Sequence, residues 1–176
     1  MTPAGDPRRC PECGIYLVTD PAEVSPRCPS CGYFRRRLPT VGVAMIVLDG
    51  DGRILLGKRA HGYGAGQWCI PCGRVEWDED VRHAAERELL EETGITARAG
   101  EVYAVHSNFH DAPRQTVGIW FTAEDVQGTA HCPDGEFSEV AYFDPASPPE
   151  LAFPTDALVL LRLVEERPVP HHHATP

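Results

Sequence analysis

Glu88, Glu91 and Glu92 fall within the stretch GRVEWDEDVRHAAERELLEETGI, Gly73 to Ile95. In an α-helix, residues three and four apart are neighbours, so these carboxylates share a face and repel unless a cation sits among them. Arg87, four residues ahead of Glu91, is spaced to hold it in orientation. Oxygen donors at such density suit a hard cation, Mg²⁺ or Mn²⁺, rather than zinc. Mg²⁺ is commonly held by a few carboxylates together with substrate phosphates, so the pattern points to phosphate chemistry. Three glutamates alone are better explained as a solvated acidic helix face, and it is the surrounding residues that turn the balance toward a metal site.

Those residues are Gly73, Glu79, the pair Arg87-Glu88, aliphatic Leu89, the pair Glu91-Glu92, Gly94 and aliphatic Ile95. At these spacings they reproduce the Nudix box without a departure, and the chain resembles the Nudix hydrolases. The resemblance implies an α/β/α sandwich around a mixed sheet, with the box forming a loop-helix-loop. It also implies hydrolysis of a nucleoside diphosphate linked to another group. By position, Glu88, Glu91 and Glu92 would carry the Mg²⁺ (or Mn²⁺) ions, with the backbone carbonyl of Cys72 as a further ligand. Arg87 would orient Glu91, and Glu79 would support the start of the helix. Bound metal lowers the pKa of water and polarises phosphorus, and a carboxylate completes the proton transfer. In related enzymes that base is a box glutamate, here Glu91 or Glu92, or an acid on a later loop, for which PDGEFSEV supplies Glu136.

Cys10-x-x-Cys13 and Cys28-x-x-Cys31 have the spacing of a four-thiolate zinc ribbon, each pair in a tight knuckle followed by Gly. Such a zinc is structural, because four protein ligands leave no position for water. A redox pair and buried small hydrophobes are the weaker alternatives. Cys69 and Cys72 read as structural thiols, the second close to the implied metals and open to oxidation. Cys132 reads as a loop cysteine.

A zinc ribbon ahead of a Nudix domain resembles two groups, one hydrolysing NADH and the other ADP-ribose, FAD and related dinucleotides. The first usually carries Ser-Gln-Pro-Trp-Pro-Phe-Pro after the box, where this chain has SNFHDAPRQTVGIWF. The second often has a proline some way beyond its box, which Pro113 approximates, and an ending that PPELAFPTDALVLLRL resembles. ADP-ribose or a similar nucleotide conjugate is therefore the leading substrate. Alternatives are an NADH pyrophosphatase, a housecleaning hydrolase of nucleoside triphosphates, and a non-catalytic Nudix sensor whose ribbon binds a partner. Arg59 is placed to meet a phosphate with its planar fork. Phe109, His110 or Trp68 is placed to stack on a base, and His106 or His110 to meet the second phosphate.

Around these residues the chain divides into a ribbon at 1–37, a main domain at 38–166 and a disordered tail at 167–176. The chain of 176 residues has a net charge of −10, in which residues 1–37 hold six arginines against four acids, +2, leaving −12 for the rest. So acidic a body argues against broad nucleic-acid binding, while a divalent cation still admits a small polyanion. With 42% hydrophobic residues and neither a signal-like leader nor an apolar run of membrane length, a cytoplasmic protein without a membrane partner is expected. A homodimer is expected by resemblance alone.

Val41 to Leu48, the turn Asp49-Gly50-Asp51-Gly52 and the run from Ile54 read as a hairpin. The box helix reads as capped by Asp78, with acids in its first turn, a core stripe of Val81, Ala84, Ala85 and Leu89, and Gly94 as the stop. Residues 97–106, 115–124 and 139–144 read as strands. A last helix over 156–166 carries the stripe Ala157, Leu160, Leu161 and Val164. No internal repeat is evident at this level.

Overall fold

A computed structural model describes residues 8–19, 25–36, 38–109 and 115–166. His110, Pro113 and the C-terminal tail lie outside the described residues. Contacts divide the chain into two compact units, one ending at Leu38 and the other starting at Pro39.

The larger unit contains β1 (Thr40–Ile46), β2 (Ile54–Arg59), β3 (Trp68–Cys69), β4 (Cys72–Arg74), α1 (Val81–Thr93), β5 (Thr96–Asn108), β6 (Thr116–Gln127), β7 (Phe137–Phe143) and α2 (Pro154–Glu165). β4, β1, β6 and β5 form a four-stranded mixed sheet, in which β1 runs parallel to β6 and the other pairs are antiparallel. β3, β2 and β7 form a second, antiparallel sheet.

The expected β1–β2 hairpin exists only at its tip. Asp49 N–H donates to Arg53, Leu55 N–H donates to Val47, and Leu48 bridges Ile54. Beyond that tip the strands part into different sheets, because both faces of each are apolar and each must be covered twice. Val43, Met45 and Val47 point into the cluster that contains Ala84, Ala85 and Leu89 of α1, while Ala44 and Ile46 point into the cluster of Val159 and Leu160 of α2. β2 divides likewise, with Leu55 toward α1 and Ile54 and Leu56 toward α2. A strand buried on both faces reads as a continuous hydrophobic run rather than an alternating one, as Val-Ala-Met-Ile-Val does.

The caps of α1 correct the sequence expectation at one end. Asp78 adopts φ 66°, a left-handed conformation incompatible with helix initiation there. Asp80, extended at φ −71° and ψ 137°, is the N-cap and accepts a hydrogen bond from Arg82 N–H, leaving no acid in the first turn. Gly94 closes the helix at φ 67°. In α2, Pro154 begins the helix two residues before the expected start. The buried face is Thr155, Asp156, Val159 and Leu160, whereas Ala157 and Leu161 are exposed. The expected stripe is thus rotated by about one residue, because it passed over a polar side chain that the core accepts.

The smaller unit is built from two like knuckles. Arg9-Cys-Pro-x-Cys-Gly-x-Tyr16 and Arg27-Cys-Pro-x-Cys-Gly-x-Phe34 are an eight-residue repeat, contrary to the expectation of none. In each, the Gly N–H returns to the first cysteine's carbonyl, Gly14 to Cys10 at 2.9 Å and Gly32 to Cys28 at 3.1 Å. Each also sets an arginine over its aromatic ring, Arg9 on Tyr16 at 4.0 Å and Arg27 on Phe34 at 5.2 Å.

Leu89 is fully buried among residues of both helix and sheet. Leu89→Ala is expected to lower the unfolding free energy by about 3 kcal/mol through lost transfer and an unfilled cavity. Urea denaturation followed by circular dichroism measures that loss.

Candidate active site

The box loop and α1 are joined by one side chain. Arg87 donates through Nε and Nη2 to the two oxygens of Glu79 at 2.8 and 2.9 Å. Its Nη1 donates to Glu88 and Glu91, each at 2.9 Å, and Nη2 also reaches the Arg74 carbonyl at 3.1 Å. All the guanidinium N–H groups are thereby used, on three carboxylates and a backbone oxygen. Arg87 accordingly orients Glu88 and Glu79 as well as the expected Glu91. The same contacts hold the Glu79 carboxyl at a pKa of about 2, chiefly through the Arg87 hydrogen bond and then through Glu76 N–H.

The three box glutamates occupy different environments. Glu91 is half-exposed, whereas Glu92 is 1% exposed. Glu92 accepts from Cys72 N–H at 2.8 Å, and burial, followed by nearby Cys72, Glu88 and Glu136, pushes its carboxyl well above the usual range. Glu88 accepts from Arg74 N–H at 3.2 Å, and burial raises its pKa as well. Glu88 lies so close over Gly73 that a Cβ there would stand 1.9 Å from its carboxyl carbon. A side chain at that position would push the Glu88 carboxylate off its Arg87 and Arg74 partners, which accounts for the glycine that opens the box.

Cys72 begins β4 at the edge of the mixed sheet. Met45 N–H bonds Pro71, and Val75 N–H bonds Val41, so the ladder with β1 uses positions 71, 73 and 75. Both backbone groups of Cys72 therefore turn away from β1, toward the side on which its N–H meets Glu92. The oxygens of Glu88, Glu92 and the Cys72 carbonyl are hard donors of the kind a magnesium-sized cation takes. Among the described residues, however, the donors lying mutually within 4.8 Å are the four ribbon sulfurs and not the three glutamates. Arg87 draws Glu88 and Glu91 one way, and the Cys72 amide holds Glu92 another.

A cleft of about 580 Å³ opens over this ground, lined on one side by Cys72, Gly73 and Glu88 and on the other by Arg59, Tyr63, Glu136 and Phe153. Arg59 is anchored by Nε to the Tyr63 carbonyl at 2.7 Å and lies over the Phe153 ring at 5.2 Å. Tyr63 and Phe153 stack with planes 9° apart, forming an aromatic wall. Glu136 is exposed, and its loop is held by Ala60 N–H donating to the Glu136 carbonyl.

The candidate base-stacking residues fare differently. Trp68 is 8% exposed and packs edge-on against Phe143, so it is a core residue. Phe109 is 70% exposed and does not line the cleft, and His106 packs against Trp120. The Tyr63–Phe153 wall was not anticipated, since its members come from a Gly-rich loop and the residue before α2. Asp156 was missed as well. It lines the cleft floor, buried, accepting from Ile70 N–H at 3.0 Å and from the Trp120 indole at 3.3 Å, and burial lifts its carboxyl to about 7. Its signal was available as a polar residue in register with Val159, Leu160 and Leu163.

In the smaller unit, the sulfurs of Cys10 and Cys31 and those of Cys13 and Cys28 are 3.5 Å apart, and Cys13 to Cys31 is 3.7 Å. A tetrahedral zinc with bonds of about 2.3 Å sets its sulfur ligands roughly 3.8 Å apart. The cluster is therefore of the right size for the ion.

The model of the NUDIX domain matches residues 38–163, which hold the cleft and the Arg87 clamp but not the four-thiol cluster. The chain belongs to the Nudix family. It is 30% identical over 148 residues to the RNA pyrophosphohydrolase of Novosphingobium aromaticivorans, covering 73% of this chain and 90% of that one. It is 32% identical over 122 residues to the ADP-ribose pyrophosphatase of Methanocaldococcus jannaschii, covering 69% and 71%. A crystal structure of a Nudix hydrolase from Nitrosomonas europaea superposes with a TM-score of 0.73 at 31% identity, covering 96% of this chain and 94% of that chain. That coverage necessarily takes in most of the cysteine unit. The protein is a Nudix pyrophosphohydrolase with a mixed sheet flanked by helices, and no described helix is long and apolar enough to cross a membrane.

Asp156 and Glu92 bind protons more tightly in the folded protein than in the unfolded chain. Stability is therefore expected to fall as pH rises from about 4 to about 7, the window set by the Asp156 shift. Asp156→Asn should flatten that fall, with Glu92 supplying the remainder, as read from urea midpoints across the pH series.

Proposed function

We propose that the chain hydrolyses the pyrophosphate bond of ADP-ribose or a related dinucleotide such as FAD, in a cleft where Glu88, Glu91, Glu92 and the Cys72 carbonyl hold Mg²⁺ (or Mn²⁺). The observation that carries this reading is a single cleft lined by half-buried Glu88, by Arg59 and Glu136, and by Cys72, whose N–H holds the buried Glu92. When bound, the metal neutralises the diphosphate and makes hydroxide available near neutral pH. Arg59 meets a phosphate through the terminal N–H groups of its guanidinium, its Nε being committed to the Tyr63 carbonyl. Arg87 keeps Glu88 and Glu91 from splaying apart while the site is loaded. Glu136, facing the box across the cleft, accepts the proton from the attacking water, with Glu91 or Glu92 as the alternative base. The Tyr63–Phe153 wall receives a base, replacing Trp68 in that role.

The dinucleotide reading is supported by the relative named ADP-ribose pyrophosphatase and by an aromatic wall beside a phosphate-sized cationic group. The relative named RNA pyrophosphohydrolase keeps a triphosphate end in view as the rival substrate. A screen of ADP-ribose, FAD, NADH, sugar nucleotides, nucleoside triphosphates and 5′-triphosphate RNA with Mg²⁺ separates them. ADP-ribose or FAD should give the highest kcat/KM, and a higher value on any triphosphate overturns the assignment. Glu92→Gln should lower kcat by about 10²-fold or more with the far-ultraviolet spectrum unchanged.

The ribbon sulfurs are proposed to hold one structural zinc per chain. Elemental analysis should find it in the purified protein. Cys13→Ser should lose both the ion and the stability of the smaller unit, because in so small a unit the metal substitutes for a core.

A further inference from the structure

One face of the smaller unit is built like a binding surface. Three antiparallel bridges make it, Arg9 opposite Tyr16, Val18 opposite Arg27, and Arg27 opposite Phe34. Residues directly opposite in antiparallel chains project to the same face, and so do residues two apart along an extended chain, as Tyr16 and Val18 are. Arg9, Tyr16, Val18, Arg27 and Phe34 therefore share one face. Cys10 and Cys28, next in sequence to Arg9 and Arg27, turn to the opposite side, where the four sulfurs gather, and both are buried.

The outer face alternates cations with rings. The Arg9 guanidinium lies 4.0 Å from the centre of the Tyr16 ring, and that of Arg27 lies 5.2 Å from the Phe34 ring. Arg9 also donates to the Gly14 carbonyl at 3.0 Å and to the Tyr16 hydroxyl at 2.9 Å, so cation and ring are fixed in place before anything binds. With a guanidinium over each ring, Tyr16 and Phe34 still keep 49% and 41% of their surface exposed, and Val18 between them keeps 57%. Large apolar side chains gathered on one exposed face mark a contact surface, unlike the single ones scattered over any protein.

Charge selects the partner. Among the described residues of this unit are five arginines, Arg8, Arg9, Arg27, Arg35 and Arg36, against one acid, Glu12, in a chain whose net charge is −10. A polyanion is drawn to this unit and not to the acidic remainder. A polyanion that carries planar rings of its own uses both halves of the face, its bases stacking on Tyr16 and Phe34 while its phosphates meet the arginines. In a duplex the bases are already stacked on one another, so the strand must be single. An acidic peptide would satisfy the arginines and leave the rings idle.

We infer that the face formed by Arg9, Tyr16, Val18, Arg27 and Phe34 binds a short stretch of single-stranded nucleic acid. The inference is independent of the substrate assigned to the cleft. The full chain, with zinc supplied, is titrated into fluorescein-labelled oligouridine and oligothymidine of about twelve nucleotides, and anisotropy is followed from low to physiological salt. Each strand has a 5′-hydroxyl, so no pyrophosphate end is offered to the cleft. Binding should weaken with salt and be tighter for the single strands than for a duplex, and the preferred oligomer identifies the sugar. Tyr16→Ala and Phe34→Ala should each weaken binding roughly tenfold with zinc content unchanged, while Tyr16→Phe, which keeps the ring, should stay within about twofold. If the alanine variants lose zinc and do not fold, photo-crosslinking of the unaltered chain to thiouridine-containing RNA decides, with cross-links expected at Tyr16 and Phe34. No binding at low salt, cross-links confined to the larger unit, a duplex bound as tightly as the single strands, or folded alanine variants that bind like wild type overturns the inference. Displacement of the strand by polyglutamate as readily as by unlabelled RNA also overturns it, in favour of an acidic protein partner. A chain that binds the oligomers yet hydrolyses no nucleotide would overturn the proposed function and leave this inference standing.

Discussion

Everything at this site depends on a single guanidinium holding together carboxylates that repel one another. Glu79 lies on the loop and Glu88 and Glu91 on the helix, and Arg87 takes all of them together with the Arg74 carbonyl. A lysine in that place would supply a point charge but not the planar fork that meets both oxygens of Glu79. The bidentate contact does two things at once. It fixes the approach of the loop to α1, and it leaves Glu88 aimed at the cleft rather than into water.

The two buried acids are each held by a backbone amide, Asp156 with the Trp120 indole as a second donor. Glu92 and Asp156 are both buried, and each takes an N–H from the turn between β3 and β4. Burial raises both carboxyls, and the amides limit that cost by giving each carboxyl a donor. The seam between the sheets is thus where backbone donors become available inside the protein. Strand edges normally exposed to solvent there face side chains from two helices. That arrangement exists because β1 and β2 separate after their shared tip and each lies between α1 and α2.

Much of the site was legible in the sequence because its spacing is local. Glu79, Arg87, Glu88 and Glu91 are set by the period of one helix and one short loop, so their meeting follows from residue numbers. The knuckles were legible for the same reason, each closing within a few residues on a glycine of positive φ. What the sequence pattern missed is long-range. Tyr63 meets Phe153 and Ile70 meets Asp156 across most of the domain. Trp68 has the composition of a base-stacking residue but the position of a core one, and composition cannot distinguish the two.

By itself the sequence determined the family, the helix with its clamp and the four-thiol cluster, because each is written in contacts between near neighbours. Only the tertiary structure decided which acids are buried, which aromatics form the wall of the cleft, and that the Cys69–Cys72 turn lies between two sheets. Those outcomes depend on which strands pair and which faces are covered. Such choices minimise exposed apolar area over the whole chain and leave no mark at any one position.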